Sequence, residues 1–74
     1  MPVKVRILRR RVINVELFEE TKRVVRILYQ AEGLPPRVIW VDEDKATEEN
    51  VKKLIALDLR YNIGITDAEV EIVE

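Results

Sequence analysis

The chain has 74 residues, 47% of them hydrophobic and 36% charged, and its 13 basic and 14 acidic residues leave a formal net charge of −1. This composition predicts one folded domain spanning residues 1–74 and argues against a disordered chain. The sequence contains no cysteine and no histidine. Disulfides and thiolate chemistry are therefore excluded, and the most common general base and transition-metal ligand is missing.

Other absences narrow the function classes further. The chain has no serine, so a serine nucleophile is excluded. We expect no enzymatic activity, no cofactor, no metal site and no small-molecule substrate. No apolar run approaches the roughly 20 residues that a membrane span needs, and the N-terminus lacks an apolar signal-peptide core. We expect a cytoplasmic monomer that does not bind membranes.

The first 17 residues alternate between apolar and polar side chains. Val3, Val5 and Ile7 alternate with basic residues, and alternation resumes at Ile13. This period of two predicts strands at 3–8 and 12–17, joined as a β-hairpin through a polar turn. That turn lacks the glycine or Asn-Gly pair that tight hairpins prefer.

Beyond Leu17 the apolar spacing changes to steps of three and four residues. Leu17, Val24 and Leu28 belong to this pattern, which predicts an amphipathic helix at 19–32. Gly33 is a suitable C-terminal cap, and the prolines that follow cannot continue a helix.

The second half of the chain contains two further strands and one helix. The segment 37–42 is rich in β-branched and aromatic residues and predicts a strand. Thr47 is a suitable N-cap for a helix at about 48–60, and Val70 and Ile72 mark a last strand. The predicted order is ββαβαβ. The predicted fold class is α+β, with a mixed four-stranded sheet packed on helix 19–32.

Several segments resemble the ubiquitin-like (β-grasp) family in order and spacing. They are the alternating residues 3–17, EGLPP at 32–36, YNI at 61–63 and the closing segment 63–72. The resemblance implies a ubiquitin-like fold and a non-enzymatic module that binds another protein. Because the chain ends Val73-Glu74 rather than in a diglycine, it also implies a module that is not conjugated.

The same resemblance implies a binding patch on the outer face of the sheet. Alternation places Leu8 and Trp40 on the side opposite the core, and the resemblance puts Val73 beside them. An exposed tryptophan between aliphatic neighbours is typical of a binding hot spot. We therefore expect a protein partner to contact Leu8, Trp40 and Val73, with Arg6 and Val38 at the margin.

Two alternatives stay open. Arg9, Arg10 and Arg11 could contact RNA from the hairpin turn, although the near-zero net charge favours a solvated turn and makes nucleic acid the less favoured partner. The narrow alphabet, rich in valine, glutamate and arginine, is typical of thermostable proteins. It is also typical of designed domains without an evolved ligand.

Overall fold

The computed structural model describes residues 2–66 and 68–73. In this part of the chain, four strands and one α-helix follow one another in the order βββαβ. They are β1 (Val3–Glu16), β2 (Thr21–Ala31), β3 (Arg37–Asp42), α1 (Glu48–Asp58) and β4 (Val70–Val73), with a 3-10 turn at Glu43–Lys45 and a π-helical turn at Leu59–Ile63.

The strands form one mixed sheet in the order β3-β2-β1-β4. β1 pairs antiparallel with β2, and β2 pairs antiparallel with β3. β1 also pairs parallel with β4, from Val3 opposite Val70 to Arg6 opposite Val73. Parallel neighbours require a crossover connection, and the segment containing α1 supplies it. The predicted α+β class and the mixed four-stranded sheet are confirmed.

The predicted hairpin at 3–8 and 12–17 is wrong. Both segments belong to the single long strand β1, which runs straight through the arginines expected in the turn and has an irregularity between Ile7 and Arg9. Arginine is not one of the residue types that a tight turn needs. The chain reverses instead just beyond β1, where the Leu17 N–H donates to the Glu20 carbonyl at 2.7 Å.

The predicted helix at 19–32 is also wrong, because β2 occupies this segment. Helical spacing placed Leu28 in the core and left Ile27 and Tyr29 on the polar side. In the structure Ile27 and Tyr29 are both 0% exposed. Strand alternation buries them on one face together with Val25, and β-branched and aromatic residues favour strands. The predicted order ββαβαβ is therefore also wrong.

The later elements match their predictions. The helix expected at about 48–60 is α1, continued by the π-helical turn. Its N-cap is Thr47, whose hydroxyl accepts a hydrogen bond from the Asn50 N–H at 3.2 Å. Gly64 ends the helical segment at φ 87°, a left-handed conformation that favours glycine. The strands predicted at 37–42 and around Val70 are β3 and β4.

The core lies between α1 and one side of the sheet, here called the inner face. Val51, Ile55 and Leu59 are fully buried along the helical segment. The buried residues of the strands are Val5, Val25, Ile27, Tyr29, Ala31, Ile39 and Val41. The opposite side of the sheet, here called the outer face, carries no helix in the described residues.

The apolar pattern of the sequence predicts a core of Val5, Val15, Leu17, Val24, Leu28, Ile39, Leu54 and Ile72. In the structure these residues fall into three groups. Val5 and Ile39 are buried, as predicted. Leu17 is 47% exposed, because it lies in the turn after β1 rather than on a helix. The partly buried ones are Val15, Val24, Leu28, Leu54 and Ile72.

Beyond the last pair with β3, Val24 opposite Asp42, the hairpin of β1 and β2 continues as a two-stranded arm, residues 14–23. The molecule is accordingly elongated, with extents of 43 × 24 × 21 Å. Because β4 pairs only with Val3–Arg6, residues 7–16 of β1 have no neighbouring strand on that side among the described residues. This stretch is called the open edge below.

Candidate functional site

The outer face is built from every second residue of each strand, because side chains alternate across a sheet. Its rows follow from the register of the paired strands. They are Trp40–Arg26–Arg11, Val38–Leu28–Arg9, Asp42–Val24–Ile13 and Gln30–Arg6–Val73. The face therefore mixes arginines with aliphatic residues and the chain's one tryptophan.

Trp40 is the most prominent apolar residue of this face, with 54% of its surface exposed. It lies on the edge strand β3, directly opposite Arg26 of β2, which in turn lies opposite Arg11 of β1. Neighbouring strands are about 4.8 Å apart. An exposed indole thus stands at the end of a row that contains two guanidinium groups.

The predicted cluster of Leu8, Trp40 and Val73 is not formed. Trp40 lies on β3 and Val73 on β4, and the strand order places these at opposite edges of the sheet. Three strand spacings, about 14 Å, separate the two edges. The structure brings Leu8 and Val73 together at the end of β4 with Arg6, which pairs with Val73. Val38 stays with Trp40 on β3.

The arginine run lies in a strand, not in a turn. Arg9 and Arg11 face outward, and Arg10 lies opposite Ile27 on the inner side. By register, the basic residues of the outer face are Lys4, Arg6, Arg9, Arg11, Lys22 and Arg26, and the acidic ones are Asp42 and Glu71.

These basic residues are mostly unpaired within the described part of the chain. Lys22 contacts Asp42 at 3.1 Å, whereas the other five form no ion pair with a carboxylate in residues 2–66 or 68–73. Acidic side chains concentrate elsewhere, at the turn of the arm and around the start of α1. Folding therefore separates charges that nearly cancel in the sequence, and the outer face becomes strongly basic.

A second polar cluster joins the sheet to the end of α1. The Asp58 carboxylate accepts hydrogen bonds from the Tyr29 hydroxyl, from Arg37 Nε at 2.6 Å and from Asn62 Nδ2 at 2.7 Å. A second Arg37 nitrogen reaches the other carboxylate oxygen at 3.2 Å. Tyr29 is fully buried, and the Asp58 side chain is 12% exposed.

These contacts shift the pKa values of the cluster. The hydrogen bonds from Arg37 lower the pKa of Asp58, and those from Tyr29 and Asn62 act in the same direction against the opposing effect of burial. Burial, followed by the bond to Asp58, raises the pKa of Tyr29 above its ordinary value. No buried side-chain polar atom of the described residues lacks a partner. The cluster is thus a satisfied structural link rather than a site with free donors.

Sequence reasoning missed this cluster. The spacing of Asp58 and Asn62 by four residues was the one available signal, because such residues lie on the same side of a helix. Tyr29 and Arg37 come from β2 and β3, and the sequence pattern predicts a helix where Tyr29 lies. Their approach to Asp58 depends on the pairing of β2 with β3 and on the docking of α1.

No group of three or more acidic residues in residues 2–66 and 68–73 is placed to hold a metal ion. In the same ranges, no helix has the length and apolar character to span a membrane.

Comparisons with known protein families, with curated proteins and with solved structures find no match to this chain. The ubiquitin-like assignment stays a prediction from the sequence. The structure has strand β2 in the segment where that resemblance implied the central helix.

Proposed function

We propose that this chain is a non-enzymatic binding module that takes its ligand on the outer face of the sheet, and that the ligand is single-stranded nucleic acid. The observation that supports the proposal is the row of Trp40, Arg26 and Arg11 on an uncovered sheet surface. Further unpaired basic residues surround this row.

The charge of the face favours a polyanion. Lys4, Arg6 and Arg9 extend the basic surface along β1, from the end near β4 toward the arm. Phosphate groups that neutralise such residues release counterions, which supplies most of the affinity in sequence-independent binding. An apolar protein surface would instead leave these guanidinium groups without partners, at a desolvation cost.

The exposed indole favours bases that are not paired. Single-strand binding proteins combine a basic surface with aromatic side chains on which bases stack, and each stacked base contributes about 1–3 kcal/mol. Trp40 stands on an edge strand with its neighbour Val38 on the same face. A base could therefore stack on Trp40 while phosphates of the adjoining backbone contact Arg26 and Arg11.

Titration of the chain with a single-stranded oligonucleotide tests the proposal, because Trp40 is the only tryptophan and its fluorescence reports stacking directly. We expect quenching on binding and an affinity that falls steeply with salt. Trp40→Ala should remove about 1–3 kcal/mol of binding free energy. Arg11→Glu and Arg26→Glu should reduce the dependence on salt.

Arg60→Glu is the matched control, since Arg60 is an exposed basic residue of the π-helical turn, on the side of the sheet that α1 covers rather than on the outer face. Its affinity for the oligonucleotide should stay close to that of the unmodified chain. Equal losses in Arg60→Glu and Arg26→Glu would show that binding is a general charge effect, and absence of quenching would rule out Trp40 as the stacking platform.

A protein partner, as the sequence predicted, is the second candidate. The exposed pair of Val38 and Trp40 on an edge strand favours it, since tryptophan is enriched in hot spots. This partner would need an acidic surface to match Arg26 and Arg11. Binding that survives nuclease treatment and is lost in Trp40→Ala would support this candidate over nucleic acid.

A further inference from the structure

The open edge of β1 has backbone groups that the proposed function does not use. It runs from the last residue paired with β4 to the turn of the arm, residues 7–16. Among the described residues no strand lies beside its outward-pointing backbone N–H and C=O groups, and such edges are templates for pairing with another chain. We propose that two copies of this chain pair antiparallel along their open edges, about a two-fold axis at Val12.

The length, alternation and charges of the edge favour this register. A two-fold axis perpendicular to the sheet leaves every side chain on its own face. Each residue must then pair with a residue of the same face, an even number of positions away, so the axis must pass between two copies of one residue. An axis at Arg10 or Arg11 would set identical charges directly opposite each other, which is destabilising. An axis at Val12 pairs residues 8–16 with themselves, which uses the open edge almost completely.

Val12 itself favours the central position. It is 47% exposed, although it lies on the inner side opposite the buried Val25. In the proposed dimer the two Val12 side chains face each other and remove apolar surface from water. On the outer face Arg11 meets Ile13, and Arg9 meets Val15, so that no like charges are directly opposite.

Charge complementarity supports the same register. Arg10 lies opposite Asn14 of the second copy, which makes Glu16 of that copy its diagonal neighbour on the same face. Diagonal cross-strand neighbours are within reach of long side chains. The two-fold symmetry produces this Arg10–Glu16 contact twice, and neither residue has an ion-pair partner within the described residues of its own chain.

The turn of the arm gives a second, independent argument. Phe18 is completely exposed there, next to Glu19 and Glu20. In this register the turn of the second copy, with Leu17 and Phe18, approaches Ile7 at the end of the open edge, where β4 ends at Val73 opposite Arg6. At that point a cleft opens at the end of β4, lined by Arg6, Ile7, Leu8, Arg9, Arg10 and Val73 among others. An apolar and acidic turn thus meets an apolar and basic cleft.

Disulfide trapping tests the register directly, since the chain has no cysteine of its own. Val12→Cys should crosslink rapidly to a covalent dimer on mild oxidation, because directly opposite residues on paired strands have Cβ atoms about 5 Å apart. Leu57→Cys is the matched control, with 46% of Leu57 exposed on α1 against 47% of Val12. Equal crosslinking rates of the two variants would overturn the proposal.

Charge-reversal variants give a second test. Their dimerisation constants are measured by sedimentation equilibrium after nuclease treatment of the purified chain. Arg10→Glu and Glu16→Arg should each weaken dimerisation by about 2- to 30-fold, the effect of two cross-strand pairs. The double variant should regain most of the affinity. A wild-type chain that stays monomeric at every accessible concentration, or a double variant no better than the single ones, would overturn the dimer. Neither result bears on nucleic-acid binding, since the oligonucleotide titration reports Trp40 on β3.

Discussion

The link between Tyr29 and Asp58 makes a sharp prediction for stability. Tyr29→Phe removes a hydroxyl that is fully buried and donates to a carboxylate, an interaction that stabilises by about 1.5–3 kcal/mol. The variant leaves no polar atom unpaired, because Asp58 keeps its bonds from Arg37 and Asn62. Asp58→Ala should cost at least as much, since it leaves the buried Tyr29 hydroxyl without an acceptor, which alone costs about 1–3 kcal/mol.

A double-mutant cycle isolates this contact from the rest of the fold. The free energy of unfolding is measured by urea denaturation, followed by circular dichroism, for both single variants and the double variant. Tyr29→Phe should be nearly neutral or stabilising in the Asp58→Ala background, because no acceptor remains there. If Tyr29→Phe costs the same in both backgrounds, the hydroxyl does not derive its stabilisation from Asp58, and the geometry of the cluster is wrong.

Two further predictions concern the core and pH. Ile27→Ala should cost about 2–5 kcal/mol of stability in urea denaturation, as expected for a fully buried residue, and Leu28→Ala clearly less, because Leu28 is only partly buried on the outer face. If Leu28→Ala cost more than Ile27→Ala, the result would favour the helix predicted at 19–32 over strand β2. The denaturation midpoint should be flat from about pH 6 to 8, because the chain has no histidine. It should fall in acid below the ordinary Asp58 pKa of 3.8, where the unfolded chain takes up a proton before the folded chain does. It should fall again above pH 10.0, where unfolded Tyr29 loses its proton first because folding raises its pKa. A midpoint shift between about pH 6 and 8 would contradict this account.

Some elements can be predicted from the sequence because their signals are local. Thr47 is the predicted N-cap of α1, and it accepts the expected hydrogen bond from the Asn50 N–H. The sequence offers Asn62 or Gly64 as the end of the helical segment, and Gly64 takes the positive φ there. β3 was equally clear, because a short run of β-branched and aromatic residues follows two prolines. Caps and prolines act through their own backbone, so their effect can be predicted without the rest of the molecule.

The conformation of residues 21–31, by contrast, depends on tertiary contacts. The apolar residues of this segment satisfy a helical and an extended period at once, so periodicity alone could not choose. The helix would have left Ile27 and Tyr29 in water, whereas the strand buries both against α1. The partner strands β1 and β3 on either side stabilise the extended form, and neither pairing has a local signal in the sequence.

Tertiary structure also decided the character of the candidate site. A net charge of −1 gave no reason to expect a basic surface, and the apolar residues expected to form one patch lie at opposite edges of the sheet. Arg11, Arg26 and Trp40 form one row only because three strands pair in this order and register. Composition sums charges over the whole chain, but a ligand responds to the charges on one face, and which residues share a face is fixed by strand pairing.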